Sequence, residues 1–259
     1  LGQRKYDEAI KTFETIISKY PQFELIPNAK YNIARCYLET MNYDLAIKNF
    51  QFVFDNYKNH SLAPNSLLQI GQIYQNKMEN KKAIEYYRKV NDNYPSNEIS
   101  AEALFYIGKI YLNDKDSLNA EKSFIHSSSY VNNVFADRSK IELAAIYLNK
   151  KEKHKAIEII GSVASSRTDN IGAEAQFRLG EIYFNEGNYK QAITEFMRIK
   201  YIFPKESDLV AHSLLKVGQC YEAINDIANA KKIYKEIIKL GSSSDYTKEA
   251  QNRLNQISK

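Results

Sequence analysis

The sequence has little of what most catalytic centres are built from. Four histidines (His60, His126, His154 and His212) and two cysteines (Cys36 and Cys220) are spread over 259 residues. No His-x-x-x-His pair occurs and the cysteines are too scattered to complete a zinc site, so no metal is expected. His154 and Glu158 share i,i+4 spacing, which reads as a surface pair. There is no phosphate loop of the Gly-x-x-x-x-Gly-Lys-Ser/Thr type, no strand before a glycine-rich turn, and no Gly-x-Ser-x-Gly elbow. Gly241 to Ser244 (GSSS) follows a helical pattern as its terminator and does not open a helix. The expectation is a chain that is not an enzyme and takes no cofactor. No apolar run approaches the roughly 18 residues of a membrane-spanning helix. No leader sequence is visible, and the cysteines leave the compartment open.

Charge is equally undistinguished: 36 basic and 31 acidic residues, finely interspersed, give a net charge of +5. The run from Lys231 to Lys239 (KKIYKEIIK) has apolar residues at helical spacing and no aromatic platform. It reads as a solvated helix face, so no nucleic-acid partner is expected. A hydrophobic content of 44% with 26% charged residues is that of a globular chain, here long enough for a substantial core.

What the sequence does have is repetition. A small residue followed three positions later by Tyr occurs in IARCY (Ala34), IGQIY (Gly71), IGKIY (Gly108), LAAIY (Ala144), LGEIY (Gly180) and VGQCY (Gly218). Twelve residues after each stands an alanine: Ala46, Ala83, Ala120, Ala156, Ala192 and Ala230, at steps of 36 to 38 residues. Ala9 lies one step before the first. Each unit reads as two helices. In the first, Leu67, Ile70, Gly71 and Tyr74 recur at helical spacing. The second runs from about Lys81 through Ala83, Tyr87 and Val90, and stops at Tyr94-Pro95, where proline cannot continue the helix and pushes its predecessor out of the α region. Tyr20-Pro21 and Phe203-Pro204 repeat the stop. Small residues let the two helices approach, aromatic positions fill the space between repeats, and stacking must supply the stability that one pair lacks. In an elongated array Cys36 and Cys220 cannot meet, so both are expected to be buried as small hydrophobes.

The order small residue, Tyr, Ala, aromatic, Pro resembles the tetratricopeptide repeat over essentially the whole chain. Departures are plain. There is no tryptophan, and Leu67, Leu104 and Leu214 stand where the family often has one. The turn glycine is present only as Gly187. The extra residues of each repeat fall between units, as in YPSNEISAEALFYIG (Tyr94 to Gly108). That longer linker is similar to the subclass found in bacterial envelope lipoproteins of outer-membrane-protein assembly and in the periplasmic coordinator of the Tol–Pal system.

The resemblance implies an all-α, right-handed α-solenoid in a single domain. About six helix pairs would occupy 22–58, 59–95, 96–132, 133–168, 169–204 and 205–241, with an N-terminal half-repeat at 1–21 and a C-terminal closing helix at 242–259. Leu1 falls just after the expected Tyr of an absent first helix, so a piece of a longer protein is expected. Two segments lack the Tyr-Pro stop: Ser127 to Asn133 (SSSYVNN) and Gly161 to Gly172 (GSVASSRTDNIG). They read as linker variation, with a hinge or a partner contact as the alternative.

In such arrays the first helices line a concave groove. Four positions per repeat face it: six and three before the small residue, one and four after it. Carried over, they give a partner-binding set of Tyr31, Arg35, Phe105, Lys109, Leu112, Arg138, Ile141, Leu148, Phe177 and Phe184. Phe105, Leu112, Ile141, Leu148, Phe177 and Phe184 would form an apolar strip across three repeats, with Arg35, Lys109 and Arg138 as polar anchors. Phe105 and Phe177 are expected to open onto the groove, and Leu112 and Leu148 either to do so or to pack on the next repeat. The Lys and Asn set that grips chaperone C-termini is missing. The implied function is a protein–protein interaction scaffold holding a peptide or helix, in the bacterial periplasm or membrane-associated envelope, with the cytoplasm as the alternative, touching a membrane only through an anchor or partner. The alternatives are a structural subunit that contacts neighbours through its ends or convex face, as in periplasmic flagellar-motor collars, or a recruitment arm for an enzyme domain elsewhere.

Overall fold

The computed structural model describes residues 2–22, 24–241 and 245–258. Ser242 to Ser244, part of the terminator and of the expected closing segment, lie outside the described residues. Fourteen helices and no strand occur among those described. The first is α1 (Gly2–Lys19), followed by α2 (Ile26–Glu39), α3 (Tyr43–Asn56), α4 (Leu62–Asn76) and α5 (Asn80–Asn93). Next come α6 (Glu98–Asn113), α7 (Ser117–Ser128), α8 (Val134–Asn149), α9 (Lys153–Ser166) and α10 (Asn170–Asn185). The last four are α11 (Tyr189–Ile202), α12 (Ser207–Ala223), α13 (Ile227–Lys239) and α14 (Asp245–Gln256). The chain divides into two compact units, Leu1–Ser139 and Lys140–Lys259, with the division inside α8. Each unit is an all-α stack of helix pairs.

One contact recurs in both units. The residue sixteen places after the small residue is Phe50, Tyr87, Phe124, Ile160, Phe196 or Tyr234, each at most 1% exposed. A Cβ added to Gly108 would fall 2.5 Å from the Phe124 ring, and one added to Gly180 would fall 2.6 Å from the Phe196 ring. The first helix therefore lies directly on the ring of the second. The alanine of each repeat, from Ala46 to Ala230, is fully buried at the same junction.

Two of these rings carry a hydroxyl, and burial makes it expensive to leave unpaired. Tyr87 Oη donates to Gln75 Oε1 at 2.7 Å, and Tyr234 Oη donates to Glu222 Oε1. Burial pushes both phenols far above their ordinary pKa. Gln75 and Glu222 both stand four residues after the small residue. Where the ring is Phe or Ile, that position holds Leu38, Leu112, Leu148 or Phe184. Polarity at this position follows the hydroxyl.

The turn inside each repeat is set by the backbone. Met41, Met78, Lys115, Lys151, Gly187 and Asn225 all adopt φ between 59° and 74°. The next N–H returns to the tyrosine carbonyl, as in Asn42 N to Tyr37 O (2.8 Å) and Asn188 N to Tyr183 O (3.0 Å). The same residue then opens the second helix: Asp116 and Asp226 accept from the backbones of Asn119 and Asn229 at 3.1 Å. Five side-chain-bearing residues thus hold a left-handed conformation that disfavours them by roughly 1 kcal/mol each. Met78 is 85% exposed, so its side chain returns little packing. Met78→Gly should raise stability by about 1 kcal/mol in urea unfolding; a decrease would show that the methionine side chain is held.

Both segments without a Tyr-Pro stop are built caps. In the first unit, Tyr94 Oη donates to Lys58 O at 2.8 Å and Tyr130 Oη to Pro95 O at 2.6 Å, tying each linker to the one before. Buried Ser127 donates to Ala101 O at 2.8 Å and accepts from Ser139 at 2.8 Å. In the second unit, Asp169 Oδ1 caps α10 by accepting from Ile171 N and Gly172 N at 3.2 Å. Arg167 Nε donates to it at 2.9 Å. The Arg167 hydrogen bond, with those backbone donors, draws the Asp169 carboxyl down to about 2.

The outer helices close the stacks. Tyr6, Phe13 and Ile17 of α1 pack on Ile33, Cys36 and Tyr37 of α2. Tyr246, Ala250, Leu254 and Ile257, from α14 and the residue after it, join the core of the second unit. Cys36 and Cys220 are free and buried, and burial pushes the Cys220 thiol up to about 12.

Candidate functional site

In the first unit, Tyr31 is half-buried and meets Phe50 edge-on at 5.1 Å, while Arg35 is exposed. Lys109 and Leu112 are half-buried. Arg138 is exposed, its guanidinium 5.8 Å from the centre of the Phe135 ring. Phe105 corrects an expectation. It is only 8% exposed, and Tyr106, Phe124 and Phe135 surround it at 5.8, 5.9 and 5.6 Å. Phe135 comes from the start of α8, a position outside the four groove registers, and covers the ring that the register alone leaves open. Beside this cluster, burial lifts the Glu102 carboxyl above its ordinary range, against a Tyr106 hydrogen bond and the charge of Arg138.

In the second unit Phe177 is corrected in the same way. At 8% exposed, it lies 5.3 Å from Phe196 and 4.5 Å from His212, which in turn stacks on Tyr246 at 4.5 Å. Burial, then Lys216, holds the His212 pKa below its usual value. Phe184 is half-buried, edge-on to Tyr189 at 5.6 Å, with the Lys216 ammonium 4.9 Å from its ring centre. Ile141 is buried at 4% exposure. Its edge, with half-buried Leu148, bounds an opening between α8 and α10.

That opening is a crevice of about 120 Å³. Ile141, Ala144, Ala145, Leu148, Ile160 and Ile182 form its apolar floor and walls, and Arg178, Glu181 and Asn185 form a polar lip along α10. Its origin is readable in the repeat. Ile160 stands where most repeats place a larger aromatic ring, and Ala145 stands where the others carry Arg35, Gln72, Lys109, Glu181 or Gln219. Two truncated side chains meet at one spot and nothing fills the space. Of the expected site residues, the structure brings Ile141 and Leu148 together here; Ile160, Ile182, Arg178 and Asn185 were not foreseen. Arg178 is engaged by Glu174 at 2.8 Å. Glu181, half-buried on the lip, has no ion-pair partner among the described residues.

Among the described residues, no group of three or more His, Cys, Asp or Glu is placed to hold a metal ion, and no helix is long and apolar enough to cross a membrane.

Sequence profiles of the tetratricopeptide repeat match residues 1–51, 65–97, 174–206 and 212–240, more than half of the chain. The chain is a tetratricopeptide repeat protein. Its fold is an all-α solenoid of the kind the family builds to bring proteins together. The C-terminal part of a tetratricopeptide repeat protein from Cytophaga hutchinsonii superposes with a TM-score of 0.70 at 19% identity, covering 95% of this chain and 94% of that one. PilW, a widely conserved type IV pilus biogenesis factor, gives 0.58 at 15% identity over 88% of this chain and 100% of its own. YrrB, a tetratricopeptide protein with an unusual peptide-binding site, gives 0.54 at 16% identity over 78% and 97%. No curated protein sequence matches the chain.

Proposed function

We propose that this tetratricopeptide protein is a non-enzymatic scaffold that holds a segment of a partner protein on its first helices, within a bacterial envelope complex. The α8–α10 crevice carries the reading. Its walls include Ile141, Ala145 and Leu148, at three of the positions that in this family face the groove. An apolar opening at those positions is suited to a protein side chain. A peptide-binding site is described for YrrB, a relative in fold. The envelope setting is supported by the long linkers between repeats, and a pilus biogenesis factor is among the fold relatives.

A photo-crosslinking residue at position 145 tests the scaffold reading in the native host, against the same residue at exposed Lys232 on the second helix α13. A discrete protein adduct from position 145 and none from 232 is expected. Adducts from 232 alone, or none from 145, would overturn groove binding. Recovery of the chain only in the cytoplasm would overturn the envelope setting.

A further inference from the structure

Resting on that scaffold reading, we propose that the crevice between α8 and α10 takes one leucine-sized apolar side chain from a partner segment that carries a basic residue beside it. Size comes first. A dry aliphatic cavity of about 150 Å³ accommodates a benzene-sized guest, so about 120 Å³ admits an isobutyl group and is tight for an indole. The crevice is lined mainly by the aliphatic side chains of Ile141, Ala145, Leu148, Ile160 and Ile182, which favour an apolar guest, and its polar groups come from Arg178, Glu181 and Asn185.

Charge comes second, and it is one-sided. The Arg178 guanidinium on the lip is already paired with Glu174 at 2.8 Å. Lys216 of α12 is placed over the Phe184 ring, 4.9 Å from its centre. Glu181, one turn from Arg178, keeps a half-buried carboxylate with no cation against it. A guest that fills the crevice brings its chain neighbours to this lip. A lysine or arginine there gains an opposite charge, and an acidic neighbour meets a like one.

The test uses the full chain with labelled isoleucine and leucine methyls and three capped pentapeptides, Ala-Lys-Leu-Lys-Ala, Ala-Lys-Ala-Lys-Ala and Ala-Glu-Leu-Glu-Ala. The first should shift the methyl signals of Ile141, Leu148 and Ile160. Replacing its leucine by alanine should weaken binding about tenfold or more, and the glutamate-flanked peptide should bind about fivefold more weakly. Glu181→Gln should bring the two leucine peptides together. Ala145→Leu, which fills the opening from its half-exposed side, should abolish the shifts, and Ile160→Phe should do so from the floor. No methyl shift with any peptide, equal shifts in both filled variants, or a charge preference that survives Glu181→Gln would each overturn the proposal. If position 145 crosslinks a partner while leucine shows no advantage, the scaffold stands and this inference falls; if position 145 crosslinks nothing, the scaffold reading itself falls.

Discussion

Phe196→Ala should lower the stability of the unit spanning residues 140–259 by about 4 kcal/mol, the largest effect expected of any single substitution described here. The ring is fully buried. It lies against Gly180, which has no side chain to move into the space, and Phe177 touches it from only one side, at 5.3 Å. Removing it forfeits the transfer free energy of a benzyl group and leaves a void beside Gly180 in the core of this unit. Chemical denaturation followed by far-ultraviolet circular dichroism measures the loss. A loss below about 2 kcal/mol would mean that α10 and α11 slide together and that the ring is not what spaces them. Phe196→Ile with Gly180→Ala recreates the Ala144 and Ile160 pair and should recover much of the difference.

The second large effect concerns the buried phenol of Tyr87. Gln75→Leu should destabilise by about 2 kcal/mol, because the Tyr87 hydroxyl then has no acceptor in an apolar junction. Tyr87→Phe should cost about 1 kcal/mol, since Gln75 can turn its amide toward water. The double variant matches the Leu112 and Phe124 combination of the next repeat, and should lie within about 1 kcal/mol of the parent. A double-mutant cycle from equilibrium unfolding gives the coupling. Simple additivity of the two losses would show that the 2.7 Å hydrogen bond is incidental.

How far the sequence reached can be seen at particular positions. The spacing from Gly180 to Ala192 and Phe196 announced a helix pair because all three residues serve one junction, local in sequence and repeated along the chain. The turns were legible as to place but not conformation: with glycine only at 187, nothing in Met41, Met78, Lys115 or Lys151 announces φ near 60°. The return bonds to the tyrosine carbonyls impose it. The burial of Phe105 and Phe177 escaped because a groove register counts along one helix, whereas Phe135 and His212 reach these rings from the next first helix. The crevice escaped for a similar reason. Ala145 and Ile160 are unremarkable one at a time and make a cavity only when α8, α9 and α10 bring them to the same place.

The two kinds of contact described above differ in what they ask of a neighbour. The ring and the small residue it supports lie within one block of 36 to 38 residues. The hydroxyls that tie linker to linker, those of Tyr94 and Tyr130, end on the carbonyls of Lys58 and Pro95, a group every amino acid supplies. A block copied elsewhere in the array carries this ring junction with it and finds a ready acceptor for its linker hydroxyl wherever it lands. Lengthening such a protein leaves the ring junctions and linker acceptors already present unchanged, and a groove position such as Ala145 can vary without touching either.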